Sequence, residues 1–526
     1  MKSIKANAPL LAALLLAAVM KMGLIITHSV PFNGDEAVVA TMARHILGGA
    51  RPYFFYGQAY MGSLDAWLLA GAFRLFGERV FTIRIVQAFL YIIYMITVWW
   101  LARIWFKDTL APTIVVLLAA IPPVLVTTYT SATLGGYNET LILGNLVLGL
   151  GYLVTIGGEG KKWWLWLILG LVGGLGFWTM GLAGLYLLTI GMVGLRQFRW
   201  GNWQRYLLAA CGFILGSLPW WWYNLQHNWL ALFELTGHRV YQTTLIERVA
   251  SFMLMGIPAL MGMRFPWRVS YLPWYLAGLA LVLYLGIAVF LMRGLCRGAN
   301  LVQKGALNLM AIFVVITVLA TLISRYGIDP SGRYQLPLYL PLLLASTAFV
   351  KFCWERSKIW GVIILLLVWG INLGGTVLAA TSPDKLTTQF DPISSFDNSH
   401  DQYLIDFLQQ KGEYRGYTNY WTSFRLAFLS QEQLIYSAEL PYKADMSYNP
   451  VDIRYRPYAQ MADASDRTAY ITSKHPVLDD RLRTEFKRLG VSWKEIQLGE
   501  FHVFYQLSRA VRPEEIGFGG EPDLAP

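Results

Sequence analysis

Apolar residues along this chain gather in windows of about twenty, separated by short polar or basic segments, from residue 9 to residue 379. A helix rises about 1.5 Å per residue, so such a window spans roughly 30 Å of hydrocarbon. Windows and loops together predict about eleven crossings, near 9–27, 80–101, 110–127, 139–156, 163–178, 179–195, 206–223, 271–292, 306–323, 334–350 and 359–379. The first follows Lys2 and Lys5 as a signal peptide would. No convincing small-residue cleavage site precedes Asn33, so it reads as a retained anchor. Residues 251–263 are too short to cross and read as an interfacial or re-entrant segment.

The long loop 28–79 carries two amphipathic stretches, 35–47 and 62–76, which read as helices lying in the interface. Near residue 380 the windows stop, and charged and turn residues rise. Residues 380–511 predict an extracytoplasmic soluble domain of α/β or α+β type. Its helix falls over Asp401–Gln410 and its strands over Gln433–Ala438, Ala469–Thr472 and Phe501–Gln506. The tail 512–526, rich in Pro, Gly and Glu, reads as disordered. The fold class expected is thus a polytopic α-helical membrane protein, residues 1–379 in the bilayer, with a soluble C-terminal domain.

Composition agrees: 56% of the 526 residues are apolar and only 14% are charged, which excludes a soluble globular chain. The net charge of +11 changes the picture through its placement. Arg103 and Lys107; Lys161 and Lys162; Arg196, Arg199 and Arg205; Arg293, Arg297 and Lys304; and Lys351, Arg356 and Lys358 occupy alternate loops, on the side of Lys2 and Lys5. The positive-inside rule makes that side and the N-terminus cytoplasmic, and it leaves no basic stripe for nucleic acid. Short basic loops and the anchor-like start favour a prokaryotic plasma membrane. Cys211, Cys296 and Cys353 show no metal or disulfide spacing.

The outer side then collects the candidate chemistry. Asp35 and Glu36 follow the turn signal Asn33-Gly34 and open an interfacial helix, whose N-terminus stabilises negative charge and keeps a base ionised. Glu139 stands at the outer end of a predicted span after Gly135-Gly136. Arg325-Tyr326 and Arg333-Tyr334 flank a Gly/Pro-rich turn, and an arginine fork beside a phenol suits a phosphate at headgroup level. His238 and Arg239 are further candidate substrate contacts in the loop 224–270. Outward acids, outward arginines and a polytopic body suit transfer of a group from a membrane-embedded phosphate donor to an acceptor outside.

Four stretches carry a resemblance. They are Phe32-Asn33-Gly34-Asp35-Glu36, Tyr60-Met61-Gly62-Ser63-Leu64, Gly216-Ser217-Leu218-Pro219-Trp220 with Tyr223-Asn224, and Arg333-Tyr334-Gln335-Leu336-Pro337. In their order and side of the membrane they resemble the GT-C glycosyltransferases. The likeness is to the bacterial group related to protein O-mannosyltransferases and the lipid A aminoarabinose transferase. The resemblance implies an inverting transfer of sugar from a polyprenyl-phosphate-linked donor to a hydroxyl of a protein, glycolipid or surface glycan acceptor. It makes Asp35 the catalytic base with Glu36 beside it, and Glu139 the second, site-ordering acid. It also makes Arg333, and less directly Arg325, the holders of the lipid phosphate. No cofactor is implied with certainty; a divalent cation is used by some members and not by others. The rival expectations are a lipid-linked-sugar flippase or transporter, and a surface-polysaccharide polymerase or ligase.

Overall fold

The computed structural model describes residues 2–106, 108–236, 243–296, 303–395 and 397–519. The chain divides into two compact units. The first comprises Met1–Val30, Tyr60–Gly62 and Ile83–Thr388, and the second Pro31–Ala59, Ser63–Thr82 and Gln389–Pro526.

Among the described residues, six helices are long and apolar enough to cross a membrane by length and composition. They are Asn7–Ile26, Val80–Trp105, Trp274–Gly294, Lys304–Ile323, Arg333–Arg356 and Lys358–Thr381. The expectation of about eleven crossings is corrected accordingly, and each window lost has a physical reason. The window 110–127 breaks at Ile121-Pro122-Pro123 into Leu110–Ala120 and Val124–Tyr129, because proline removes a donor and restricts the residue before it. The window 206–223 breaks at Ser217, two residues before Pro219, into Trp203–Gly216 and Leu218–Gln226. The windows 163–178 and 179–195 form helices of 17 and 14 residues, Trp163–Thr179 and Ala183–Arg196, both shorter than the roughly 20 residues of a typical span. The window 139–156 forms Tyr137–Thr155, which carries Asn138, Glu139 and Asn145 and buries nearly its whole length in protein. Of residues 251–263, those up to Leu260 belong to a helical run over Leu245–Leu260 interrupted by the π-turn Phe252–Gly256, and this run is not among the six.

Within the first unit, Trp163–Thr179 and Trp203–Gly216 pack backbone to backbone. A Cβ at Gly170 would stand 1.9 Å from the Ala209 carbonyl oxygen, and one at Gly174 would stand 2.1 Å from that of Phe213. The contact is reciprocal: a Cβ at Gly212 would lie 2.3 Å from the Leu167 carbonyl oxygen, and one at Gly216 would lie 2.1 Å from that of Leu171. Two Gly-xxx-Gly faces therefore meet where any side chain would hold the helices apart.

The second unit holds a five-stranded sheet in the order Ile435–Ala438, Arg415–Thr418, Ala469–Ser473, Phe501–Tyr505, Lys494–Leu498. The first three strands run parallel and the last two antiparallel. Parallel neighbours need a crossover, supplied between Arg415–Thr418 and Ile435–Ala438 by the helix Tyr420–Leu429. Leu404, Leu408, Ile471 and Phe501 gather in one buried cluster, and Tyr417, Tyr470, Phe486 and Phe504 in another. Ile516 and Phe518, in the segment expected as a disordered tail, are buried in the second cluster, whereas residues 520–526 lie outside the described set. The loop helices Gly34–Leu47 and Leu64–Phe76 belong to this same unit, and the first packs on Tyr420–Leu429.

Candidate functional site

In the second unit, the sequence Asn33-Gly34-Asp35-Glu36 starts a helix by a reciprocal cap. The Asn33 side chain accepts the Glu36 amide at 3.1 Å, and Glu36 Oε2 accepts the Asn33 amide at 3.4 Å. Glu36 is fully buried and turned back on its own helix start. Asp35 is half-buried, and its Oδ1 accepts the Tyr420 hydroxyl at 2.5 Å. Tyr420 opens the helix Tyr420–Leu429, which Asn419 caps by accepting the Thr422 amide at 3.2 Å. Gly34 makes the approach possible, since a Cβ there would meet Trp421 Cα at 3.2 Å.

Charged groups ring this pair. The Arg454 guanidinium lies 5.2 Å from the Tyr420 ring centroid and 5.9 Å from that of Phe55. Burial pushes the Tyr420 hydroxyl well above its ordinary range; the charge of Asp35 adds to this, while Arg454 opposes it. Burial also pushes the Asp452 carboxyl up to about 6, with Asp35 adding and with Arg454 and the Asn449 hydrogen bond opposing. Tyr442 is pushed up to about 12 by burial, then by Asp452, Asp35 and Asp391.

The rest of the loop helix is fastened within the same unit. Phe32 and Asn398 exchange two hydrogen bonds, of 2.7 and 3.0 Å. Arg44 pairs with Glu78 at 2.7 Å and donates to the Phe428 carbonyl at 3.1 Å. His45 bridges the Tyr56 hydroxyl at 2.8 Å and the Glu432 carboxylate at 2.9 Å, and Tyr458 donates to that carboxylate at 2.7 Å.

The first unit holds the other candidates. Glu139 is buried in the first turn of Tyr137–Thr155, which starts at Gly136 with φ of 112°. Arg333 pairs with Asp329 at 2.9 Å and lies 5.0 Å from the Tyr334 ring centroid; Tyr334 in turn packs on Tyr326 at 4.5 Å. Tyr137 lies in electrostatic range of Arg333, Tyr334, Tyr129 and Asp329, so Arg333 and Tyr334 gather beside the start of the Glu139 helix. The backbone of Arg325 forms the 3₁₀ turn Arg325–Ile328, and its side chain falls outside what is described. His238 and Arg239 lie outside the described residues.

Two buried cations escaped the sequence reading. Lys21 Nζ donates to Thr130 Oγ1 and Ser131 Oγ, both at 2.8 Å, to the Thr130 carbonyl at 3.0 Å and to that of Thr127 at 3.3 Å. It also lies 4.7 Å from the Tyr91 ring centroid. Arg84 donates to the Ser131 carbonyl at 3.2 Å and to that of Val30 at 3.1 Å. Together they pin the loop that leads to Asn138 and Glu139. The signal was available, because a cation inside an apolar window is costly unless it is used or satisfied. Among the described residues, no group of three or more His, Cys, Asp or Glu side chains is placed to hold a metal ion.

A family model described as dolichyl-phosphate-mannose-protein mannosyltransferase matches residues 63–223. No curated protein matches the chain significantly in sequence. ArnT from Cupriavidus metallidurans, bound to undecaprenyl phosphate, is similar in structure with a TM-score of 0.58 at 13% identity, over 95% of this chain and 98% of that one. Its apo state gives 0.57 at 13% identity over 92% and 97%. The apo oligosaccharyltransferase of Archaeoglobus fulgidus gives 0.51 at 12% identity over 88% of this chain and 69% of that one. Over nearly the whole of both chains, this protein shares the fold of that ArnT structure.

Proposed function

We propose that this protein is an inverting glycosyltransferase that moves a sugar from a polyprenyl-phosphate-linked donor to an acceptor hydroxyl on the extracytoplasmic side of a prokaryotic plasma membrane. The observation that carries the reading is Asp35: a half-buried carboxylate at a capped helix start, with one oxygen held by a phenol, in a chain of GT-C fold. Arg333 and Tyr334, beside the first turn of the Glu139 helix, suit the lipid phosphate.

The chemistry follows from these groups. The acceptor oxygen forms a bond to the anomeric carbon from the face opposite the phosphate. The carbon–oxygen bond to phosphate breaks, and the leaving polyprenyl phosphate keeps that electron pair. Asp35 takes the acceptor proton as the oxygen becomes bonded, and the guanidinium of Arg333 stabilises the charge that grows on the phosphate. Glu139 orders the start of its helix next to the phosphate-binding groups. The alternate basic loops and Lys2 and Lys5 support a cytoplasmic N-terminus with the second unit outside.

The test is a deletion strain complemented with wild-type protein or with Asp35→Asn, followed by mass spectrometry of surface glycolipids and surface proteins. One sugar-bearing product should vanish in the deletion, return with the wild type and stay absent with Asp35→Asn. A normal product level with Asp35→Asn in the membrane would remove Asp35 from the chemistry.

A further inference from the structure

Tyr420 belongs to the soluble part of the second unit, 385 residues along the chain from Asp35, yet its hydroxyl is the group that touches the carboxylate. Three features of the contact go beyond packing. The 2.5 Å separation is that of a charge-assisted hydrogen bond rather than of a casual polar contact. Tyr420 is fully buried and its hydroxyl is held protonated, so it serves as a donor over the whole physiological range. The ring itself is fixed: the Arg454 guanidinium lies 5.2 Å from its centroid, Trp421 packs on it at 4.9 Å, and Phe424 at 5.9 Å.

We propose that Tyr420 is a positioning residue for Asp35, the C-terminal domain thereby completing the catalytic base. Its hydroxyl fixes Oδ1, which sets the rotamer of the carboxylate and turns Oδ2 toward the incoming acceptor. Asp452 and Arg454 lie in electrostatic reach of Tyr420, and Tyr442 and Asp452 in reach of Asp35. The inference rests on Asp35 acting as the base.

The experiment separates the two assignments. Full-length protein in detergent is treated with a water-soluble carbodiimide and glycinamide across a pH series. Coupling at Asp35 is read by peptide fragmentation, and its midpoint reports the carboxyl. Tyr420→Phe removes the donor at Oδ1, which should raise that midpoint and lower product formation in the complemented strain roughly tenfold, with Asp35→Asn giving none. If Tyr420→Phe leaves midpoint and product unchanged while Asp35→Asn is inactive, the base stands and the role of Tyr420 is overturned. If Asp35→Asn is active, the base falls and Tyr420 falls with it. Should Tyr420→Phe fold poorly, 3-fluorotyrosine placed at position 420 keeps the shape and strengthens the donor. The Asp35 midpoint must then drop, and an unmoved midpoint overturns the proposal.

Discussion

Adding a single methyl group at Gly174 or Gly212 gives a quantitative test of how the shorter helices of the first unit are held. The Cβ created by Gly174→Ala would stand 2.1 Å from the Phe213 carbonyl oxygen, and that of Gly212→Ala 2.3 Å from the Leu167 oxygen. A carbon and an oxygen need roughly 3.2 Å, so the helices must part by about 1 Å along that contact. Such a gap forfeits about a quarter to a half of the dispersion well for every facing atom pair. Overpacking of this kind costs about 1–3 kcal/mol, and the backbone obstacle places these two sites at the upper end. The controls lie in the neighbouring helix Ala183–Arg196, where a Cβ at Gly184, Gly191 or Gly194 meets nothing within 4 Å. Alanine there gains up to about 1 kcal/mol of helix propensity instead.

The assay is thermal unfolding of full-length protein in one detergent, followed by tryptophan fluorescence and by the monodisperse fraction on gel filtration. Gly174→Ala and Gly212→Ala should unfold several degrees below wild type, with Gly191→Ala at or above it. The sign difference matters more than the size, because detergent and incomplete reversibility shift all midpoints together. If Gly191→Ala costs as much as Gly174→Ala, the backbone contact is not what holds this helix pair, and the reasoning from Cβ distances fails.

If Arg333 holds the lipid phosphate as proposed, Arg333→Ala should weaken binding of a polyprenyl phosphate at least about tenfold, measured by titration in detergent; an unchanged affinity removes Arg333 from the donor site. Glu36→Gln should leave product formation near wild type, because glutamine completes the same cap, and loss of product with retained folding would give Glu36 a chemical role. Asp452 supplies a pH dependence. Its carboxyl is raised by burial from 3.8 to about 6, so between those values the folded chain holds a proton that the unfolded chain has released. Stability from this group is therefore present at low pH and lost as pH rises through 6, by about 3 kcal/mol, and Asp452→Asn should raise the unfolding midpoint at pH 8 more than at pH 5.

The sequence shows these features unequally, and the reason is range. The helix Gly34–Leu47 announces itself locally through Asn33, the glycine after it and Glu36 three residues on, and the strands Ile435–Ala438, Ala469–Ser473 and Phe501–Tyr505 announce themselves as short apolar runs. Arg415–Thr418 and Lys494–Leu498 do not, because a four-residue strand starting with arginine and an edge strand rich in charge carry no such run. Counting apolar windows overstated the crossings because mean hydropathy ignores breaks. Pro122-Pro123 and Pro219 end helices inside windows that remain apolar, and a glycine-paired pair such as 163–179 and 203–216 is apolar because it packs on itself.

Range also explains why the acidic pair was harder to divide than to find. Both carboxylates follow the same turn and share the same helix dipole, so no local rule makes one of them chemical. Glu36 accepts the amide of Asn33, three residues away, a bond that its neighbours in sequence supply. Asp35 has no such local bond; what claims its Oδ1 is a phenol from a helix that exists only once the parallel sheet of the second unit has formed. A carboxylate whose partner comes from so far along the chain is held by tertiary structure for a purpose that capping does not supply. That difference, invisible in Asp35-Glu36 as written, is the physical ground on which Asp35 is the acid proposed as the base.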